Sequence, residues 1–127
     1  MNDEQYLAYS QQQLSSFADD LCKRTEHLPE EDSLRSLALA FGSLAKGERG
    51  LYSEGPGLIS RLFTTYPDFA PSFPRDLLWF FGGDCLHFMP DQEIAVYQQL
   101  DDMRREACAR GQILDLRTAR SSLLGLQ

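Results

Sequence analysis

Histidine and cysteine, the residues that most often bind metals or act as nucleophiles, are scarce in this sequence. The chain has two histidines and three cysteines among its 127 residues. It contains no CxxC, HExxH or Glu-x-x-His motif, so the ligand spacings typical of zinc and iron sites are missing. We therefore predict no metal and no cofactor, assign no catalytic residue, and consider an enzymatic function disfavoured.

The sequence also lacks long apolar runs and a recognisable secretion signal. No uninterrupted apolar run exceeds five residues, which is far too short to cross a bilayer. The first ten residues, MNDEQYLAYS, carry acids where a signal peptide has basic residues. We expect a cytoplasmic protein that does not bind membranes, in which the odd number of thiols stays reduced.

Positive charge is in short supply. The formal net charge is -7, and residues 1–32 hold eight acids against Lys23 and Arg24. Nucleic-acid binders usually present a basic face, because neutralising phosphates drives their affinity. The one basic cluster lies near the C-terminus of an otherwise acidic chain, at Arg104, Arg105, Arg110, Arg117 and Arg120. A nucleic-acid partner is therefore not expected.

Valine and isoleucine, the usual strand formers, are rare, whereas apolar residues recur at helical spacing. The spacing predicts a helix over 3–26, a second from Pro29 to Lys46 with Gly47 just after its end, and a long helix over 90–109. Prolines that suit a first helical turn mark further helix starts, at Pro56, Pro67, Pro74 and Pro90. Residues 115–123 favour a terminal helix over a short strand. We predict an all-α protein, a single compact domain over 1–127 with five to seven helices.

The glycine-rich segment KGERGLYSEGPG, residues 46–57, resembles a phosphate-binding loop only superficially. A Walker A loop ends in Gly-Lys followed by Ser or Thr, whereas the lysine here precedes the glycines. We interpret the segment as a connector between helices, anchored by Tyr52 and Pro56.

The stretch LLWFFGGDCLHFMPD, residues 77–91, is the most chemically distinctive in the chain. Its apolar run points all around a helix that begins at Pro74, so this helix is either central or gives one face to a partner. Gly82 and Gly83 predict a sharp turn at its end. Aromatic residues are concentrated around it, at Phe63, Tyr66, Phe69, Phe73, Trp79, Phe80, Phe81 and Phe88.

Two site hypotheses follow from the residues after the turn. If 84–88 is extended, Cys85 and His87 lie on one side, and with Asp91 they could line a pocket for a small ligand. Alternatively, Cys85 could act as a nucleophile with His87 as its base, as in a thiol-dependent enzyme. Burial of Cys85 in the core would explain the same residues without any site.

Contacts with other chains form the leading functional hypothesis. The aromatic density, together with an acidic N-terminal helix and a basic C-terminal end, favours a homo-oligomer or an accessory or regulatory subunit. Trp79 is the natural anchor of such an interface, flanked by Phe80 and Phe81, because tryptophan is enriched where binding energy is concentrated.

The block LLWFFGGDCLHFMPDQEI, with LYSEGPGLISRL before it, is similar to a small family of uncharacterised bacterial proteins of about this length. The resemblance covers most of the chain. It implies a one-domain cytoplasmic protein, and it brings no assigned activity, cofactor or catalytic residue.

Overall fold

A computed structural model describes residues 3–111, together with Ala119 and Leu123. Within this part of the chain there are helices and no strands, which confirms the all-α prediction and the predicted number of helices. The α-helices are α1 (Asp3–Thr25), α2 (Ser33–Ala45), α3 (Leu51–Thr65), α4 (Arg75–Phe81) and α5 (Asp91–Ala109). Two 3-10 helices cover Pro67–Phe69 and Gly83–Phe88. Over the same residues, no helix combines the length and the apolar character needed to cross a membrane.

The first two helices largely follow the sequence pattern. Helix α1 occupies the predicted range, with Asp3 and Glu4 in its first turn. The start of α2 at Pro29 was predicted wrongly, because Asp32 is the N-cap and its carboxylate accepts the Leu34 N–H at 2.9 Å. The predicted helix end is confirmed: Gly47 takes a positive φ of 80° after Lys46. Such a left-handed residue closes a helix without a steric cost for glycine.

The interpretation of residues 46–57 as a connector is wrong beyond Gly50. Helix α3 begins at Leu51, so Pro56 lies inside the helix instead of at its start. The Glu54 carboxylate accepts the Gly50 N–H at 3.2 Å and satisfies one of the free donors at the helix N-terminus. This local hydrogen bond supports a helix start that the glycines obscured.

Three of the four proline signals are confirmed. Pro67 opens the first 3-10 helix, while Pro74 and Pro90 are the N-cap residues of α4 and α5. Helix α5 also matches the predicted range of 90–109. The predicted terminal helix over 115–123 lies outside the described residues, apart from Ala119 and Leu123, which are helical.

The Cα positions divide into two compact units. The large unit comprises residues 10–88, and the small unit comprises residues 1–9 and 89–127. Helix α1 contributes its first residues to the small unit and the remainder to the large one. The single-domain assignment over 1–127 therefore stays a prediction.

A network of phenylalanine rings runs through the large unit. We call it the core ring network; its members are Phe17, Phe41, Phe63, Phe73 and Phe88. Phe73 joins two others, with its ring centroid 4.7 Å from that of Phe17 and 5.3 Å from that of Phe63. The remaining links are edge-to-face contacts as well. This geometry matches the electrostatic preference of aromatic pairs. Phe63 and Phe73, two of the aromatic residues concentrated around α4 in the sequence, are therefore core residues, because both are buried.

The small unit is held by a charge pair between its two segments. The Arg104 Nη1 atom lies 2.9 Å from the Asp3 Oδ1 atom, and the guanidinium stacks 4.9 Å from the centroid of the Tyr6 ring. Arg104 is buried. Arg104, one of the arginines of the basic C-terminal cluster, therefore contributes to the internal structure of the small unit.

Candidate functional site

The candidate site is built on α4, a short helix whose two ends are fixed by different means. Pro74 precedes the helix, and Gly82 ends it with a positive φ of 62°. Gly83 also has a positive φ, of 52°. Glycine adopts this conformation readily, so the predicted sharp turn after Phe81 is confirmed.

Arg75 ties the segments that flank α4 to each other. Its Nη1 atom donates to the Ala70 carbonyl at 2.8 Å, and its Nη2 atom donates to the Phe88 carbonyl at 2.9 Å. The next residue, Asp76, is buried and accepts a 3.4 Å hydrogen bond from the Gln13 side chain of α1. Hydrogen bonds that involve a charged group are stronger than neutral ones. These contacts fix the position of α4 and hence of the rings at its C-terminal end.

Three rings meet where the C-terminal end of α4 passes the first turns of α3. We call this group the aromatic surface; it consists of Tyr52, Phe80 and Phe81. The ring centroids of Tyr52 and Phe80 are 5.6 Å apart, and those of Phe80 and Phe81 are 5.2 Å apart. Tyr52 is 64% exposed, and both phenylalanines are half-buried. These rings are held against each other and still offer area to another molecule.

Gly55 forms the floor beneath Phe81. A Cβ atom at this position would lie 2.5 Å from the Phe81 Cε1 atom, closer than two carbon atoms can approach. Gly55 itself is buried inside α3. The ring of Phe81 therefore rests directly on the helix backbone, an approach that only glycine allows.

The residues before Tyr52 are also fixed. The Glu54 carboxylate accepts the Gly50 N–H and pairs with the Arg49 guanidinium at 3.2 Å. This arrangement holds the first turn of α3 in place. It also leaves the Arg49 and Glu54 charges engaged with each other.

The structure places Cys85 and His87 in different environments. Both lie on the second 3-10 helix, so the extended conformation considered for residues 84–88 is wrong. The Cys85 residue is 1% exposed, whereas the His87 side chain is 81% exposed. The His87 Nε2 atom lies 4.0 Å from the Asp84 carboxylate, on the solvent side. Asp91 is exposed and is the first residue of α5, in the small unit. The ligand pocket stays a prediction.

The environment of Cys85 opposes thiol chemistry. Burial, with a smaller effect from the negative charge of Asp84, raises the pKa of the Cys85 thiol from its ordinary value of 9.0 to about 11. A catalytic thiol needs the opposite shift, because the thiolate is the nucleophile. Within residues 3–111, 119 and 123, no three His, Cys, Asp or Glu side chains are grouped closely enough to hold a metal ion. The enzyme hypothesis stays a prediction that this pKa disfavours.

The predicted interface residues are only partly brought together. Phe80 and Phe81 belong to the aromatic surface, and Trp79 is half-buried on the same helix. Sequence reasoning missed the contribution of Tyr52 and Gly55, because both fell in the supposed connector. The apolar spacing of Leu51, Leu58, Ile59 and Leu62 is helical, and it is the signal that could have revealed α3.

Comparisons with known proteins identify the family of the chain, but no individual relative and no related solved structure. Searches of curated proteins and of solved structures found no match to this chain. One family model matches nearly the whole sequence, from residue 2 to residue 127, and that family has no assigned activity. The resemblance read from the blocks around α3 and α4 is thereby confirmed. The chain belongs to the PA2817-like family.

Proposed function

We propose that this protein acts through protein–protein contacts, as a homo-oligomer or as an accessory or regulatory subunit. The aromatic surface is the contact region. The observation that carries the proposal is the 64% exposure of Tyr52, a large ring that contacts the half-buried Phe80, which in turn contacts Phe81. Aromatic residues in a fixed arrangement dominate the binding energy of many interfaces, because they add large contact area at a small entropic cost.

Charge and chemistry favour a protein over other partners. The net charge of -7 disfavours nucleic acid, since phosphate groups would be repelled. The raised pKa of Cys85 disfavours a thiol-based activity at neutral pH. We place the protein in the cytoplasm, where its three cysteines would remain reduced. Trp79, Phe80 and Phe81 are the interface residues that the proposal carries forward, with Tyr52 added.

Photo-crosslinking in the cells that make the protein tests the proposal directly. A photoreactive phenylalanine analogue replaces Tyr52, and the same analogue at Leu39 is the matched control. Leu39 is the other exposed large apolar residue in the described part of the chain, at 39% exposure, and it lies on α2. We expect one discrete crosslinked species from position 52 and none from position 39.

Mass spectrometry of that species then separates the two forms of the proposal. A second copy of the chain identifies a homo-oligomer, and a different protein identifies an accessory subunit. The species should disappear when Phe80→Ala removes the neighbouring ring. The absence of any discrete adduct from position 52, or equal adducts from both positions, would overturn the proposed function.

A further inference from the structure

Two glycines lie two residues apart on α3, and the fold gives them different surroundings. A Cβ atom at the exposed Gly57 would meet no described atom within 4 Å outside its chain neighbours and the backbone of its own helix. A Cβ atom at Gly55 would lie 2.5 Å from the Phe81 Cε1 atom and 2.8 Å from the Cζ atom. Glycine weakens a helix relative to alanine at either position. Of the two, only Gly55 has a tertiary contact that accounts for this cost.

The contact at Gly55 belongs to a series of contacts that returns to the same helix. The Phe81 ring rests on Gly55, and its centroid lies 5.2 Å from that of Phe80. The Phe80 ring centroid lies in turn 5.6 Å from that of Tyr52. Tyr52 and Gly55 are three residues apart on α3, a spacing that places them on one face of a helix. The two adjacent phenylalanines of α4 therefore meet α3 at two points.

We infer that Gly55 is the positioning residue of the aromatic surface, which sets the arrangement in which its rings meet a protein partner. This inference rests on the proposed function. An added Cβ would overlap with the far edge of the Phe81 ring, so the ring would move before the helix backbone does. Because Phe80 precedes Phe81 and their rings are in contact, this movement would disturb the packing of Phe80 against Tyr52. Gly55 thus acts through Phe81, without touching the partner itself.

The arrangement of the rings matters for binding because it is formed before the partner arrives. Aromatic pairs attract each other only in certain geometries, and a side chain that must be ordered on binding lowers the affinity. With Phe80 against it, the exposed Tyr52 ring has a neighbour that restricts its motion. Displacing Phe80 would remove that restriction, and ordering Tyr52 would then oppose binding.

Nuclear Overhauser effects between the Tyr52 and Phe80 rings test the positioning role on the purified full-length protein, without any partner. Gly55→Ala and Gly57→Ala form the matched pair, since they make the same substitution on one helix. We expect the effects between the two rings to keep their wild-type intensity in Gly57→Ala and to be lost in Gly55→Ala. Urea denaturation checks that both variants fold. Unchanged effects in a folded Gly55→Ala protein would overturn the inference.

Crosslinking from position 52, in the cells that make the protein, tests the consequence for the partner. Gly55→Ala should lower the yield of the discrete adduct roughly two- to tenfold, the range that corresponds to losing one aromatic contact. Gly57→Ala should leave the yield unchanged. An adduct that does not respond to Gly55→Ala would overturn the inference and leave the proposed function intact. No discrete adduct from the wild-type sequence would overturn the proposed function, and the inference with it.

The Phe81→Leu background separates positioning from a general effect on the stability of α3. Leucine lacks the two ring atoms that lie closest to the added Cβ. In this background Gly55→Ala should therefore cause no further loss of adduct. A change in helix stability alone would act equally in both backgrounds, because independent effects add. Equal losses with Phe81 and with Leu at position 81 would overturn the inference.

Discussion

The core ring network and the aromatic surface both lie in the large unit, and they use similar rings in different surroundings. In the network, Phe41 and Phe73 are 0% and 1% exposed, and edge-to-face contacts link ring to ring. In the aromatic surface, Tyr52 is largely exposed, and its neighbours are half-buried. The network therefore contributes to stability, whereas the Tyr52 ring of the aromatic surface remains largely accessible.

The comparison shows that aromatic density in a sequence does not by itself identify an interface. Phe73 and Phe81 are only eight residues apart in the sequence, yet one joins the network and the other rests on Gly55. What separates them is the turn of α4, which carries Leu77 and Leu78 into the core and Phe80 and Phe81 to its margin. Exposure, and not composition, distinguishes the two groups.

The largest expected effect is a loss of stability when the core ring network is disrupted. Phe73→Ala removes a ring that contacts both Phe17 and Phe63, and leaves a cavity in the core. We expect the free energy of unfolding to fall by about 3–5 kcal/mol, measured by urea denaturation. Phe73→Leu, which keeps most of the volume, should lose less than half of that. A loss below about 1 kcal/mol for alanine would show that the network does not support the core.

A second prediction concerns the buried side of the second 3-10 helix. The pKa of Cys85 is about 11 in the folded protein and 9.0 when unperturbed, so the unfolded chain releases the thiol proton first. The stabilising effect is complete below pH 9 and is lost as the pH rises towards 11. At pH 10 the contribution of Cys85 to the free energy of unfolding should be about 1.4 kcal/mol smaller than at neutral pH.

The control for that measurement is Cys85→Ala. This variant keeps every other titrating group, so its stability curve should lack the component that Cys85 adds between pH 9 and 11. Parallel curves for the two proteins would contradict the raised pKa. In that case the Cys85 thiol would titrate normally, and the enzyme hypothesis would lose its main objection.

The smallest expected effect on stability concerns the aromatic surface. Tyr52→Ala removes an exposed ring, so the free energy of unfolding should change by no more than about 0.5 kcal/mol. Under the proposed function, the same variant should bind its protein partner more weakly. A stability loss as large as that of Phe73→Ala would place Tyr52 with the core and remove the basis for an interface.

Helix positions could be predicted well because their signals are local. Apolar spacing gave α1 and α5 nearly to the residue, and Pro74 and Pro90 marked the starts of two helices. Gly47, Gly82 and Gly83 have the positive φ angles expected of turns. Each of these features depends on a few neighbouring residues, and each can therefore be predicted from the sequence.

The candidate site could be predicted only in part, because it depends on contacts between distant segments. Phe80 and Phe81 were expected at an interface, but the contact between Phe80 and Tyr52 was not. Tyr52 lies on α3, a helix that was not predicted to begin at Leu51 because Gly50, Gly55 and Pro56 indicated a connector. Glycine and proline usually end helices, and here one is a packing floor and the other is tolerated within the helix. Cys85 is buried and His87 is exposed because the two residues lie on a 3-10 helix, which no local sequence pattern predicted.

The two hydrogen bonds from Arg75 have a consequence for how the large unit opens. The guanidinium joins the Ala70 and Phe88 carbonyls, and so closes the chain between them into a loop. This link makes the two ends of the loop depend on each other, so α4 and the second 3-10 helix should undergo local unfolding as one cooperative element. The backbone amides of residues 75–88 would then exchange with solvent at a common rate, and the two phenylalanine rings of the aromatic surface would leave and return together.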